Sequence, residues 1–489
     1  MESTVRRDFF RGVYYTAIAK YAGIVVSLIV VAVLSRLISP EDFGIVAIAT
    51  IIIQLFGTIS DLGIGSAVIQ FKTLTKRDLS NIFSFSVWIG LTFTALFFFL
   101  SWPISSYYQN DTLLTISQIL SVSLFFSIIN TVPNALLYKH KEFKFITYRT
   151  LAVQITGGVM SVAAALCGLG LYALIINPLF SSVALIIINL KKYPQKLRFT
   201  LGLSSIKSIF SFSSYQFLFD IINYMSRNLD KLIIGRYLGL AMLGYYEKSY
   251  RLMMLPLQNI THVVGPVMHP IFSDYQKDYN RLSDSYQRVV RYLALIGFPL
   301  SVLLFFTAKE LTLLVFGPAW VPSVASFKIL SISVGLQIVL STSGSIFQAS
   351  SSTKHLFISG LLSSSTTITA IFISILFFRS LESVAWAITI SFIANFFQAY
   401  IIMYYFVFKR SILPFLKQFA PSLITASILI ASNLALNSVF DSQNLLLSLI
   451  VKSAVNGTVA LAYVQLSNEY DIIGQLKILW NNKFKSKKL

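Results

Sequence analysis

Cysteine, histidine and charge are all scarce in this chain. One cysteine, Cys167, and four histidines, His140, His262, His269 and His355, are spread over 489 residues. A single thiol excludes an internal disulfide framework and a cysteine-based metal site, and the histidines form no ligand-like cluster. No glycine-rich loop ending in Gly-Lys occurs, which removes the usual phosphate cradle of an ATP-hydrolysing protein. Charged residues make up 12% of the chain against 55% hydrophobic, with a mean hydropathy of +0.73. That balance belongs to a chain whose solvent is lipid.

About 20 mostly apolar residues cross a bilayer as a helix. Counted between charge clusters and Pro, Gly or Asn punctuation, fourteen such segments are expected, making an all-α polytopic membrane protein. They run Thr16 to Ile38, Phe43 to Ile69, Ile82 to Ser101, Leu113 to Asn134, Ile146 to Cys167, Leu171 to Leu190 and Ile209 to Ile234 in the first half of the chain. The rest are Ala241 to Ile271, Val289 to Thr307, Val324 to Ala349, Leu356 to Phe378, Val384 to Phe408, Phe415 to Leu436 and Leu445 to Leu466. Arg6, Arg7 and Arg11 precede a first apolar run too long for a cleaved signal, so that run reads as a retained helix.

The net charge of +20 invites a nucleic-acid reading, but its placement argues for topology instead. With the N-terminus inside, the clusters Lys72/Lys76/Arg77, Lys139/Lys141/Lys144/Arg149, Lys191/Lys192/Lys196/Arg198/Lys207, Arg281/Arg288/Arg291, Lys409/Arg410/Lys417 and Lys483/Lys485/Lys487/Lys488 all fall on the cytoplasmic side. Both termini are therefore expected in the cytoplasm, and nucleic acid is not an expected partner. Connections are short, the longest being Lys191 to Lys207 and Ser273 to Arg288. They leave no room for a soluble catalytic domain, and an enzyme is not expected.

An internal repeat organises the segments. Segment one ends LSRLISPEDFG (Leu34 to Gly44) and segment seven ends IIGRYLGLAMLG (Ile233 to Gly244), placing Arg36 and Arg236 eight residues before Gly44 and Gly244. Two six-helix lobes plus a C-terminal helix pair follow: residues 1–190, a basic linker 191–207, residues 208–408, and residues 409–489 with the last two spans and a basic tail. An even number of spans per repeat keeps both lobes in one orientation, with the substrate path expected between them. Ser39 should cap the second helix, with Pro40 in its first position and Glu41 and Asp42 near the positive end of the dipole.

The block LSRLISPEDFGIVAIATIIIQLFGTISDLGIGSAVIQ followed by LTKRDLSNIF, and later NLDKLIIGRYLGLAMLGYYEKSYRLMMLP, resemble the polysaccharide-transporter branch of the MOP flippase superfamily, and within it the Wzx-type exporters of colanic-acid and teichuronic-acid kind. The likeness runs over roughly residues 10 to 410. It departs at SSSTKH (Ser350 to His355), where such proteins often carry a Gly-Arg or Gly-Lys turn. The resemblance implies a flippase in the bacterial cytoplasmic membrane that turns an undecaprenyl-pyrophosphate-linked oligosaccharide from the inner to the outer leaflet. Its implied partners are that lipid-linked substrate, the bilayer, and a polysaccharide polymerase and export machinery. An ion-coupled multidrug or metabolite exporter of the related multidrug branch is the alternative. No cofactor is expected beyond coupling to H⁺ or Na⁺.

Charges inside apolar spans then become site candidates, because a polar face at membrane depth must line a wet cavity or meet another helix. On a helix, Asp220, Asn223, Arg227, Asp230 and Lys231 gather on one face. A translocated pyrophosphate calls for cationic donors, and Lys20, Arg227, Lys231 and Arg251 are the candidates. Asp61, Asp220, Asp230 and Glu247 are candidate cavity or coupling carboxylates; Asp61 has no basic neighbour in its own span, while Gly57 on the same stripe should permit close helix approach. Tyr245, Tyr246 and Tyr250 are candidate platforms for sugar rings. Structural readings stand beside these: Lys20 as a snorkelling lysine, Asp230 with Lys231 and Asp220 with Arg227 as static pairs, Arg36 and Arg236 as snorkelling or end-capping arginines at helix ends.

Overall fold

The computed structural model describes residues 2–61, 63–71, 73–198, 221, 224–225, 227–276, 278–440 and 442–467. Among the described residues every regular element is helical. In chain order the elements are α1 (Glu2–Leu37), α2 (Pro40–Asp61), α3 (Ile64–Gln70), α4 (Lys76–Tyr108), α5 (Asp111–Ile129), α6 (Thr131–Lys139), α7 (Phe143–Leu166), α8 (Tyr172–Lys192) and a helix over 227–237, α9. There follow α10 (Leu240–Ser273), α11 (Tyr279–Phe306), α12 (Ala308–Phe316), α13 (Pro322–Ser331), α14 (Val334–Leu340), α15 (Ser343–Ala349), α16 (Thr353–Phe377), α17 (Leu381–Ile401), α18 (Leu413–Lys417), α19 (Ala420–Val439) and α20 (Leu445–Leu466).

Eleven described helices are long and apolar enough to cross a membrane, twelve if the bent pair α13 and α14–α15, angled at 49°, forms one span. The chain is a multi-pass membrane protein. Against the fourteen expected segments, the seventh, Ile209 to Ile234, falls mostly outside the described residues. The eighth is α10, a single 34-residue helix whose early turns carry Glu247, Lys248 and Arg251. Trp88, Phe99, Trp102, Phe377 and Leu466 are among the large apolar side chains left exposed, as suits surfaces wetted by acyl chains.

Helix starts are set by local chemistry. Ser39 Oγ accepts from the Asp42 amide at 3.2 Å and donates to the Asp42 carboxylate at 2.7 Å, so the expected cap at Pro40 is present. Thr75 and Asp78 form a full capping box on α4. The turn after α15 also forms without glycine: Ser351 takes the left-handed region at φ 54°, and the Ser352 amide donates to the Phe347 carbonyl at 2.8 Å.

The chain divides into two compact units, Met1–Glu247 with Val315–Ala319, and Lys248–Leu314 with Trp320–Leu489. In lipid, apolar contacts between helices gain little over contacts with acyl chains, so packing rests on small residues and internal polar bonds. In the first unit α4 accordingly buries Ser84 and Ser86, whose hydroxyls bond back to the Ser80 and Ile82 carbonyls one turn earlier, and sets Gly90 against Phe125 and Ile128 of α5. In the second unit α17, the π-helical turn Ile402–Phe408 and α18 build an aromatic core of Phe396, Tyr400, Tyr404 and Phe415. The Tyr400 hydroxyl there shares a 2.6 Å hydrogen bond with Tyr286.

Within the first unit the α1–α2 and α9–α10 hairpins repeat each other at an offset of 200. The Ile38 amide donates to Leu34 and the Leu238 amide to Ile234; the Phe43 amide donates to Ser39 and the Leu243 amide to Gly239. Gly239 needs its missing Cβ because its φ is +99°. Gly44 lies directly against the Leu240 carbonyl, and Gly244 directly against the Pro40 carbonyl, so a Cβ at either would overlap backbone of the other hairpin. Two α-helix starts thus cross reciprocally at paired glycines. Gly57, by contrast, has open space around it, so the close approach expected there is not made.

Candidate functional site

The α9–α10 hairpin brings charge to one place. Asp230 on α9 is buried, and the Tyr246 hydroxyl on α10 donates to its Oδ2 at 2.6 Å. One residue on, the Lys231 ammonium lies 3.0 Å from a Glu247 carboxylate oxygen, with side chains 13% and 33% exposed. The spacing explains the pairing. Neighbours at i and i+1 on α9 face different ways, and so do Tyr246 and Glu247 on α10, so two pairs form side by side, each spanning 16 residues. Asp230 and Lys231, expected as a static pair, each also engage a side chain across the hairpin, Tyr246 and Glu247.

This geometry also revises the role of Tyr246. It is fully buried and spends its hydroxyl on Asp230, so its ring belongs to the packing and offers no exposed face to a sugar. Tyr245 and Tyr250 are half-buried and keep part of their surface open. Tyr224, which composition alone did not single out, donates to the Ile51 carbonyl at 2.6 Å, with Gln54 Oε1 3.4 Å away, and so ties the approach to α9 onto α2.

The other candidates separate. Arg227 is exposed on α9 and Arg251 is half-buried one turn beyond Glu247 on α10. Lys20 sits midway along α1, half-buried, and has no ion-pair partner among the described residues. The side chain of Asp61 and the whole of Asp220 and Asn223 lie outside the described residues. Lys248 is buried, with its ammonium 5.2 Å from the Trp320 ring centroid.

The end-capping reading fits the contacts of Arg36, while Arg236 meets an aromatic ring instead. Arg36 donates to the Ala32 carbonyl at 2.7 Å and to the Val315 carbonyl near the end of α12 at 2.8 Å. Arg236 stacks over Tyr107, 4.8 Å from its ring centroid, at the end of α4. Cations at helix C-termini answer the negative end of the dipole.

Chemically, the hairpin sets Lys231 and two carboxylates, Asp230 and Glu247, close together, with the cation engaged by a carboxylate that is itself one-third open. An arrangement of this kind can exchange its internal partner for an external anion, whereas a closed pair cannot. Among the described residues no group of three metal-binding side chains occurs.

A family model described as polysaccharide biosynthesis protein matches residues 33–325, more than half of the chain. The chain is 25% identical to the lipopolysaccharide biosynthesis protein WzxC of Escherichia coli over 71% of each chain. It is 24% identical to the teichuronic acid biosynthesis protein TuaB of Bacillus subtilis, over 71% of this chain and 72% of that one. In fold it is similar to the lipid II flippase MurJ in an inward closed conformation, with a TM-score of 0.71 at 15% identity over 94% of this chain and 99% of the other. The chain belongs to the polysaccharide biosynthesis protein family.

Proposed function

We propose that this protein is a flippase that carries an undecaprenyl-pyrophosphate-linked oligosaccharide from the inner to the outer leaflet of a bacterial cytoplasmic membrane, for surface polysaccharide synthesis. It is a transporter and not an enzyme, its termini are cytoplasmic, and its product passes to a polymerase and export machinery. The reading is carried by one observation above the rest: in a membrane protein of a polysaccharide family, Lys231 is held by a one-third-open Glu247 beside the buried Asp230–Tyr246 pair.

In this mechanism pyrophosphate oxygens compete with Glu247 for Lys231, with Lys20, Arg227 and Arg251 as further donors and Tyr245 and Tyr250 against the sugar. The freed Glu247, with Asp61, Asp220 and Asp230, takes a proton or Na⁺. Ion and substrate must bind one access state better than the other, since a ligand with equal affinity for both shifts nothing. Alternating access then moves the head group while the polyprenyl tail stays in lipid.

Depletion of the protein followed by extraction of lipid-linked intermediates tests this. Oligosaccharide-pyrophosphate-lipid should accumulate in the inner leaflet, protected from external glycosidase, and be rescued by wild type but not by Lys231→Ala or Arg251→Ala. Unchanged intermediates with altered drug efflux would reject the flippase and favour a multidrug exporter.

A further inference from the structure

The first unit holds a second polar site that the hairpin does not use. Arg149 near the start of α7 is only 8% exposed, yet its partners are amides. Its Nη1 donates to Asn189 Oδ1 on α8, its Nη2 to Asn134 Oδ1 on α6 at 3.3 Å, and its Nε has no hydrogen-bond partner among the described residues. Asn189 in turn donates through Nδ2 to Asn130 Oδ1 at 2.7 Å. A guanidinium has donors only, so every amide facing it must turn its oxygen inward. That relay fixes the orientation of Asn130 and Asn134, whose amide nitrogens are left for whatever lies on their far side.

On that far side is a cavity of about 320 Å³, lined by Gly65 on α3 and by Ser127, Asn130, Thr131, Asn134 and Tyr138 along α5 and α6. Two helices are interrupted at this level: α2 gives way to α3 at Gly63, in the left-handed region at φ 71°, and α5 meets α6 at Asn130. Interrupted spans that line a polar cavity are where membrane proteins place ligand sites. The wall is rich in donors, and behind it stands a buried cation with no carboxylate bonded to it among the described residues. Burial without a countercharge is costly for a cation, and amide oxygens offset only part of that cost.

We infer that this cavity binds a phosphate-class oxyanion through the amide donors of Asn130 and Asn134 and the hydroxyls of Ser127, Thr131 and Tyr138, with the charge of Arg149 behind them. The anion reaches it from the side to which the basic loops assign the cytoplasm, either as a soluble phosphate compound or as a lipid head group. The site is separate from Lys231 and Glu247 and stands whether or not the transport reading holds.

The test uses the full chain in phosphatidylcholine nanodiscs, with inorganic pyrophosphate as the soluble probe and discs containing phosphatidylglycerol as the lipid probe. Pyrophosphate should raise the midpoint of thermal unfolding of wild type in a saturable way. Asn134→Asp supplies an internal carboxylate to Arg149; it should raise the midpoint without ligand and weaken the apparent affinity by about tenfold or more. If that variant does not fold, Ser127→Tyr at the exposed mouth should weaken the response in the same direction. A response to phosphatidylglycerol alone, lost in these variants, keeps the site and assigns it to the lipid head group. No response of wild type to either probe, or equal responses in wild type and variants, overturns it.

Discussion

Two buried lysine–carboxylate pairs of similar chemistry have different surroundings. In the second unit Lys452 on α20 reaches Glu310 on α12 at 2.6 Å; Ser448 donates to the same carboxylate oxygen at 2.7 Å, and the Phe306 carbonyl accepts from Lys452 at 3.1 Å. Those side chains are 12% and 6% exposed, so the pair is closed on itself and pins α20 to the end of the α11–α12 segment. In the α9–α10 hairpin the lysine is as deep, but its Glu247 is one-third open. A closed pair can only stabilise. A pair with an open carboxylate has an internal partner that an arriving anion or cation can displace, which is the property a transport cycle requires.

Breaking the closed pair should have the largest effect on stability. Lys452→Met leaves Glu310 as a buried unpaired charge and should cost about 3–5 kcal/mol, read from thermal unfolding in nanodiscs, whereas adding Glu310→Gln should recover most of it. Next comes Gly244→Ala, which places a methyl against the Pro40 carbonyl less than one turn before Glu247. It should cost about 1–3 kcal/mol, and it sharpens the comparison by shifting α10 without altering any charge. Gly44→Ala should match it, since the two contacts are reciprocal. Tyr246→Phe removes the hydroxyl from Asp230 and should cost about 1.5–3 kcal/mol in the same assay. Lys231→Met should have the smallest effect on stability, about 1 kcal/mol or less given the exposure of its partner, and yet abolish transport. A loss of stability for Lys231→Met as large as for Lys452→Met would erase the distinction between the two pairs.

Much of this was readable from residue order, and the limits have physical causes. Apolar run length located the spans because the bilayer imposes one length on all of them, and Ser39-Pro40 announced a helix start through its own capping chemistry. The offset of 200 was visible at Arg36 and Arg236, and it proved to mark the hairpins that cross at Gly44 and Gly244. What spacing could not supply was partners. Asp230 and Lys231 are adjacent and suggest a local pair, but nothing in their spacing announces the contacts to Tyr246 and Glu247, 16 residues on. Arg149 counted as one more loop cation because nothing local distinguishes it; its burial depends on Asn189, 40 residues away. Glu310 fell in an expected external connection, since its partner Lys452 is 142 residues on. Segment ten, expected as one run from Val324 to Ala349, is interrupted into α13, α14 and α15, because Ser331, Ser333, Ser341 and Thr342 bond back to carbonyls three residues earlier and tighten the chain there.

The most direct measurement is leaflet exchange in vesicles containing only the purified protein and a fluorescent undecaprenyl-pyrophosphate oligosaccharide, followed by quenching with an impermeant reductant. Wild type should expose nearly all of the label within minutes, while Lys231→Met, folded to the same thermal midpoint within a few degrees, should leave the inner-leaflet half protected. Protection of that half with wild type, or equal exposure with Lys231→Met, would contradict the assignment of this hairpin as the anion-handling site of a flippase.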